Sequence, residues 1–396
     1  MMLDNGARKS MEQAPLRDIR DVAWFERSMN TSVSALHLTD THLYAGDWNG
    51  LIFCWNLDGD EIWNAETNDR VAGFSLGGNF LYAVSGRDLV CIDALSGEIH
   101  WVAELEGSSD LVDCTPDGKT VIATSSVFDI EVNDFMESKC WRYDSEGRSL
   151  RTDTLDERPW FIQMRSDGIA HLALGRPRCG MVRVDVEGLH WYPLPTNSPA
   201  TCGLEGEQRV VIGHVDGTLT CIDSGIVLEE GPFPNQPGSI TKLDCTPNGL
   251  IVAVSIEPGP IGAGFGGAEG LARAYNPDGY MRWQIETPKG NNIEHVIDGP
   301  DLNDNPSVWV ASWDGVNSEI TVHAELDGSE EARFKPESRV NVCVREQDYI
   351  AIGFDDGQVI LIQSHLLVRR LNEGEKSSPS NSADMAARLR ALRKKS

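Results

Sequence analysis

The chain has 396 residues, room for two or three ordinary domains or one large repeat array. Its 34 lysines and arginines against 61 aspartates and glutamates give a net charge of −27, which argues against a body that grips nucleic acid through its phosphates. No run of eighteen apolar residues could span a membrane. The nine cysteines include no C-x-x-C and no adjacent pair, as expected of a cytoplasmic protein with reduced thiols.

Residues 1–19 contain neither an apolar signal core nor a lipid-attachment cysteine and are expected to be a flexible N-terminus. The stretch VAWFERSMNTSVSALHL (22–38) resembles IHWVAELEGSSDLVDC (99–114). Trp24 therefore has the place of an outer-strand tryptophan ahead of the first repeat. That strand is expected to join the last repeat and fasten the chain ends, because uncovered sheet edges are costly. HLLVRRL (365–371) is the competing candidate for that place.

From residue 43 onward a short apolar strand recurs: LYAG (43–46), LYAV (81–84), VIAT (121–124), HLAL (171–174), VVIG (210–213), IVAV (251–254), VWVA (308–311) and IAIG (350–353). Eight copies at roughly forty residues each is a propeller period. Every copy reads as four strands. A first strand ends in a polar turn such as CTPDGKT (114–120), and the apolar strand follows. A tight turn comes next, as in GDWNG (46–50), GHVDG (213–217), SWDG (312–315) and GFDDG (353–357). Asn-Gly and Asp-Gly there supply the positive φ angles of two-residue hairpins. The third strand alternates, as in LVCIDA (89–94). Glycines at 59, 97, 147, 188, 225, 279 and 328 mark the next turn, and Trp63, Trp101, Trp191 and Trp283 lie in fourth strands. These tryptophans are expected to pack one blade against its neighbour. Cysteines recur likewise, Cys54, Cys91, Cys140 and Cys221 in third strands and Cys114, Cys202, Cys245 and Cys343 in first strands, which makes them core filler. Cys179, in GRPRCG, stands apart.

LVCIDALSGEIHW (89–101), AYNPDGYMRW (274–283) and WNLDGDEIW (55–63) resemble the pyrroloquinoline-quinone-type β-propeller repeat, and TPDGKTVIA is similar to turns of tryptophan–aspartate (WD) repeat propellers. The resemblance covers residues 20–372 and implies an all-β fold: an eight-bladed propeller of four-stranded antiparallel blades. Family members that are quinone-dependent dehydrogenases need calcium-binding carboxylates and, typically, an adjacent-cysteine disulfide. This chain lacks adjacent cysteines and has about two-thirds of their length, so the resemblance implies no cofactor here. The outer-membrane assembly lipoprotein with the same propeller is closer in length, but its export signal and lipid-bearing cysteine have no counterpart.

GAGFGG (262–267) matches G-x-G-x-x-G without the strand–turn–helix context of a dinucleotide site, and reads as an inserted loop. DLNDNP (301–306) lacks the glycine and terminal glutamate of a calcium loop. The nine histidines show no metal-ligand spacing. No catalytic set can be assigned from spacing.

Two insertions, 125–138 and 255–270, fall at the turn between second and third strands and are expected to rise on one face of the disc. Trp48, Trp313 and Phe354 are placed at that same turn in blades one, seven and eight, consecutive around a closed ring, and would form an exposed aromatic patch for a partner. After Leu371 the composition changes. Residues 373–382 read as a linker, and 383–396 as a basic amphipathic helix with Arg388, Arg390, Arg393, Lys394 and Lys395 against Asp384. That segment has a charge of +4, which leaves −31 for the remainder. It could meet an acidic protein groove, an anionic membrane, RNA or the acidic body itself, or simply be solvated. The leading expectation is a non-catalytic protein-interaction scaffold. The alternative is an enzyme or small-molecule binder using the central channel.

Overall fold

A computed structural model describes residues 13–175, 180–194, 196–205, 209–223, 226–227, 231–256, 269–288, 290–302 and 305–373. The first blade consists of strands Val33–Leu38, His42–Asp47, Leu51–Asn56 and Glu61–Glu66, hydrogen-bonded in that order from axis to rim. The pattern repeats over 71–104, 108–155, 159–192, 200–227, 239–286 and 292–334. In the eighth blade three strands, Val340–Glu346, Tyr349–Phe354 and Gln358–Gln363, are completed by Phe25–Ser28 from the other end of the chain. Innermost strands of successive blades touch all the way round, and Val340–Glu346 packs on Val33–Leu38. The ring is closed, and it has eight blades.

The cores lie between blades. Tyr44, Ile52, Cys54 and Trp63 of blade one pack on Val71, Leu81, Ala83 and Ile92 of blade two. Because each blade has a neighbour on both faces, the second strands are apolar at nearly every position rather than at alternate ones. The fourth-strand tryptophans pack as expected. Trp63 Nε1 donates to the Ala94 carbonyl (3.0 Å), Trp101 Nε1 to Ser145 (3.0 Å) and Trp283 Nε1 to Glu325 (2.8 Å), always across to the next blade. Each ring covers a turn glycine, Gly97 under Trp63 and Gly147 under Trp101, and both glycines have φ 77°. Cys54, Cys91, Cys140, Cys221 and Cys114 are buried between blades, whereas Cys245 is exposed; all eight described cysteines are free.

Trp24 and its strand fasten the ring: Trp24 N donates to Leu361 O (2.7 Å), and Trp24 Nε1 reaches the Leu57 carbonyl of blade one (2.6 Å). The competing segment is not a strand. Ser364–Glu373 is an α-helix whose Leu366 and Leu367 are buried, because the rim position of blade eight is already filled by residues 25–28. The expectation of a flexible 1–19 is also revised within its described part. Leu16–Arg17 adds a parallel fifth strand beside Glu330–Phe334 of blade seven, and Ile19–Val22 forms a 3-10 turn that buries Ile19 and Val22. Of the linker expected over 373–382, Glu373 ends the α-helix Ser364–Glu373. Residues 374–396, with the rest of that linker and the expected basic helix, lie outside the described residues, as do 257–268 of the second insertion. The first insertion lengthens two strands, Thr120–Asp129 and Asp134–Asp144, into a hairpin arm.

Candidate functional site

In every blade the pairing of the innermost strand with the second is broken at one place near its start, between Val33 and Ala35 in blade one and between Val340 and Val342 in blade eight. Such a bulge leaves a residue unpaired and re-aims its side chain. Here several of those side chains reach the next blade. Ser34 Oγ donates to Val71 O (2.7 Å), Thr201 Oγ1 to Ile240 O (2.6 Å) and Asn341 Nδ2 to Val33 O (3.2 Å). Asp110 pairs with Arg158 of blade four (2.6 Å), and Glu294 accepts two bonds from Arg339 of blade eight (2.7 and 2.6 Å). The bulges thus lace the ring together around one mouth of the central channel, on the face where the second-to-third-strand turns open.

That mouth holds a cavity of about 510 Å³, lined among others by Trp48, Arg70, Lys242, Asn292, Arg339 and Asn341. The size suits a small ligand or an inserted side chain. Trp48 is 50% exposed, and the Arg70 guanidinium lies 4.4 Å from its ring centroid. Burial, and then the charge of Arg158, push the Arg70 pKa down, so these two cations sense each other at the mouth. Burial, followed by the charge of Lys242, pushes the His295 imidazole down to about 3, which keeps it neutral near pH 7. Asp355, also in the lining, accepts from Ser32 Oγ (3.0 Å) and Asn341 Nδ2 (3.3 Å).

The three aromatics expected at this turn do not form one patch. Trp48 is exposed, and Trp313 is partly covered, with Arg339 5.9 Å from its ring centroid. Phe354 is 1% exposed and belongs to the core beside Trp309 and Phe334. The reason is register. Phe354 pairs with Val340 as Asp47 pairs with Val33, so it aligns with Asp47, one residue before Trp48. In a strand a shift of one residue reverses the side-chain direction. Arg388, Arg390, Arg393, Lys394 and Lys395 lie outside the described residues.

An exposed apolar surface does exist on this face, built from the hairpin arm. Ile130 is 85% and Val132 59% exposed at its tip, with Phe128 and Met136 just below and Trp160 exposed at the start of blade four. Phe128 and Phe135 meet edge to face (5.2 Å), and Arg158 stacks on both Phe135 (4.2 Å) and Trp160 (4.8 Å). Sequence reasoning located this insertion but not its apolar tip, and it missed the mouth cations. Arg70, Arg158 and Arg339 each stand one residue before an innermost strand, a shared place that shows only once the strand starts are fixed.

No protein-family model and no curated protein matches the sequence. Solved structures do resemble it. The computationally designed Ika8 protein superposes with a TM-score of 0.66 at 14% identity, over 89% of this chain and 100% of that one. BamB from Moraxella catarrhalis gives 0.64 at 13% identity, over 86% and 96%. Saccharomyces cerevisiae Sqt1 gives 0.65 at 11% identity, over 86% and 97%. The likeness is one of fold. It bears out the eight-bladed ring and leaves the chemistry to the site. Among the described residues no group of three or more His, Cys, Asp or Glu side chains could hold a metal ion, and no helix is long and apolar enough to cross a membrane.

Proposed function

We propose that the protein is a non-catalytic interaction scaffold that binds a protein partner on the face carrying the channel mouth. The observation that supports it most is the hairpin tip. Ile130, Val132, Phe128 and Met136 stand exposed together on an arm raised above a face where Trp48 and Trp160 are also half-exposed, and clustered exposed apolar side chains mark interaction sites. The basic residues Arg388, Arg390, Arg393, Lys394 and Lys395 are part of the same proposal, as a tethered second contact for an acidic partner. The setting proposed is cytoplasmic, in keeping with the free thiols. The triple substitution Trp48→Ala, Ile130→Ser and Val132→Ser tests the reading in affinity purification from the native host. Unchanged melting with loss of the captured partner supports it. Reduced melting with capture intact would make these side chains packing groups. A second reading, a small-molecule site, is favoured only by the cavity of about 510 Å³ at the mouth; a metabolite screen that raises the melting temperature by mass action would support that instead.

A further inference from the structure

Four cations are spaced evenly around the channel mouth, one on every second blade. Arg70 immediately precedes the innermost strand of blade two, Arg158 that of blade four and Arg339 that of blade eight, while Lys242 lies within that of blade six. They divide into two kinds. Arg158 and Arg339 are neutralised, by Asp110 and Glu294 respectively. Arg70 and Lys242 have no carboxylate within ion-pair distance among the described residues, and they belong to blades four apart in a ring of eight, so they face each other across the axis. Both line the same cavity. Lys242 is also the first-named charge acting on His295, from blade seven, and on Cys343, from blade eight, as a side chain near the axis would be.

We infer that this mouth receives an acidic segment of a protein partner, with an Asp or Glu carboxylate seated between Arg70 and Lys242. The inference rests on the reading of this face as a protein interface. Charge complementarity carries it: two opposed, unpaired cations in one cavity leave a place that an anion fills. The whole molecule has a charge of −27, which repels acidic partners at long range. The cavity is also lined by Glu294, which Arg339 neutralises, and by Asp355, and Asp69 lies close enough to act on Arg70. At about 0.15 M salt screening confines the long-range repulsion to roughly 8 Å. Within that reach the three cations of the lining against its two carboxylates leave one net positive charge. Asn292, whose Oδ1 alone is taken up by Ser255, offers its amide N–H to the same segment, whereas the Ser34 hydroxyl and the Asn341 amide are already given to neighbouring groups. Trp48, with Arg70 already on its ring, offers a flat apolar surface to the residue beside the carboxylate. The apolar hairpin arm outside the mouth is what favours a peptide over a free anion, since a small molecule would leave it uncovered.

The test uses the full chain and fluorescence anisotropy at about 0.15 M salt. The probe is a labelled Glu-Glu-Leu repeat peptide, with Gln-Gln-Leu and Lys-Lys-Leu peptides as controls. The glutamate peptide alone should bind. The double variant Arg70→Gln, Lys242→Gln should weaken it by about tenfold or more, the loss expected for two charge-assisted contacts, at unchanged melting temperature. Lys242→Glu should abolish it. Absence of glutamate-peptide binding, equal binding by the double variant, or saturation of the mouth by citrate without any peptide binding would each overturn the inference. If it fails while Trp48→Ala, Ile130→Ser, Val132→Ser still loses its partner, the interface reading stands and only the acidic identity of the segment falls.

Discussion

Glu325 has no solvent exposure although it sits in a turn, between the third and fourth strands of blade seven. Blade six encloses it: Arg282 pairs with it (2.5 Å), and Thr246 Oγ1 (2.5 Å) and Asn248 Nδ2 (2.7 Å) donate to its carboxylate. Burial alone would raise its pKa, but the bonds from Arg282, Thr246 and Asn248, with the Arg282 charge, hold it below the usual range. A depressed folded-state pKa contributes stability above the unfolded value, and that stability is lost as pH falls through the folded one. Glu325→Gln should therefore cost about 3–5 kcal/mol near neutral pH, since it strands a buried guanidinium. The gap to the unsubstituted protein should narrow below about pH 4.5 in urea titrations. Asp244 titrates in the opposite sense. Burial pushes its carboxyl up to about 6, so its contribution is full below about pH 4 and is lost as pH rises through 6. Replacing it with asparagine should flatten that part of the stability profile. Gly97 is a third test. With φ 77°, and a Cβ that would fall 2.6 Å from Trp63 Cδ2, Gly97→Ala should lower stability by about 1–3 kcal/mol.

At the scale of elements, the N-terminal strand and the hairpin arm should respond differently to removal. Deleting residues 1–30 strips Ile19, Val22 and Phe25 from the core, at about 1.5–3 kcal/mol each, and exposes the edge of Gln358–Gln363. Melting should fall by several degrees, and unchanged melting would show that the strand is not a fastener. Replacing residues 128–136 with a two-residue turn should leave melting nearly unchanged, because the tip is exposed. How far each element could be read beforehand follows from repetition. Trp24 was legible as a closing strand because its surroundings copy those of Trp101, and the fourth-strand tryptophans because they recur beside a turn glycine. Segment 365–371 was not, because its apolar spacing suits either state and its fate depends on which end fills blade eight first. Phe354 was misplaced because the turn of blade eight was aligned one residue away from that of blade one. The mouth cations stayed hidden for a related reason: their ring appears only once the bulges fix where each innermost strand begins.

The whole molecule is a closed circuit in which every blade buries both faces, so its stability belongs to the ring rather than to any blade. Truncation after residue 382 should accordingly leave melting unchanged and weaken capture of an acidic partner in a salt-dependent way; unfolding on truncation would place the tail in the ring. Circular closure by Phe25–Ser28 also has a temporal side. Glu26 bonds Gln358, 332 residues later. At about 5–20 residues per second, a ribosome needs roughly 15–70 s to supply that partner. For that interval the emerging protein is an open arc, with one finished edge waiting and the other not yet made. Its period of greatest exposure to chaperones and to misassembly with a neighbouring copy is thus set by the length of the chain rather than by the strength of any contact.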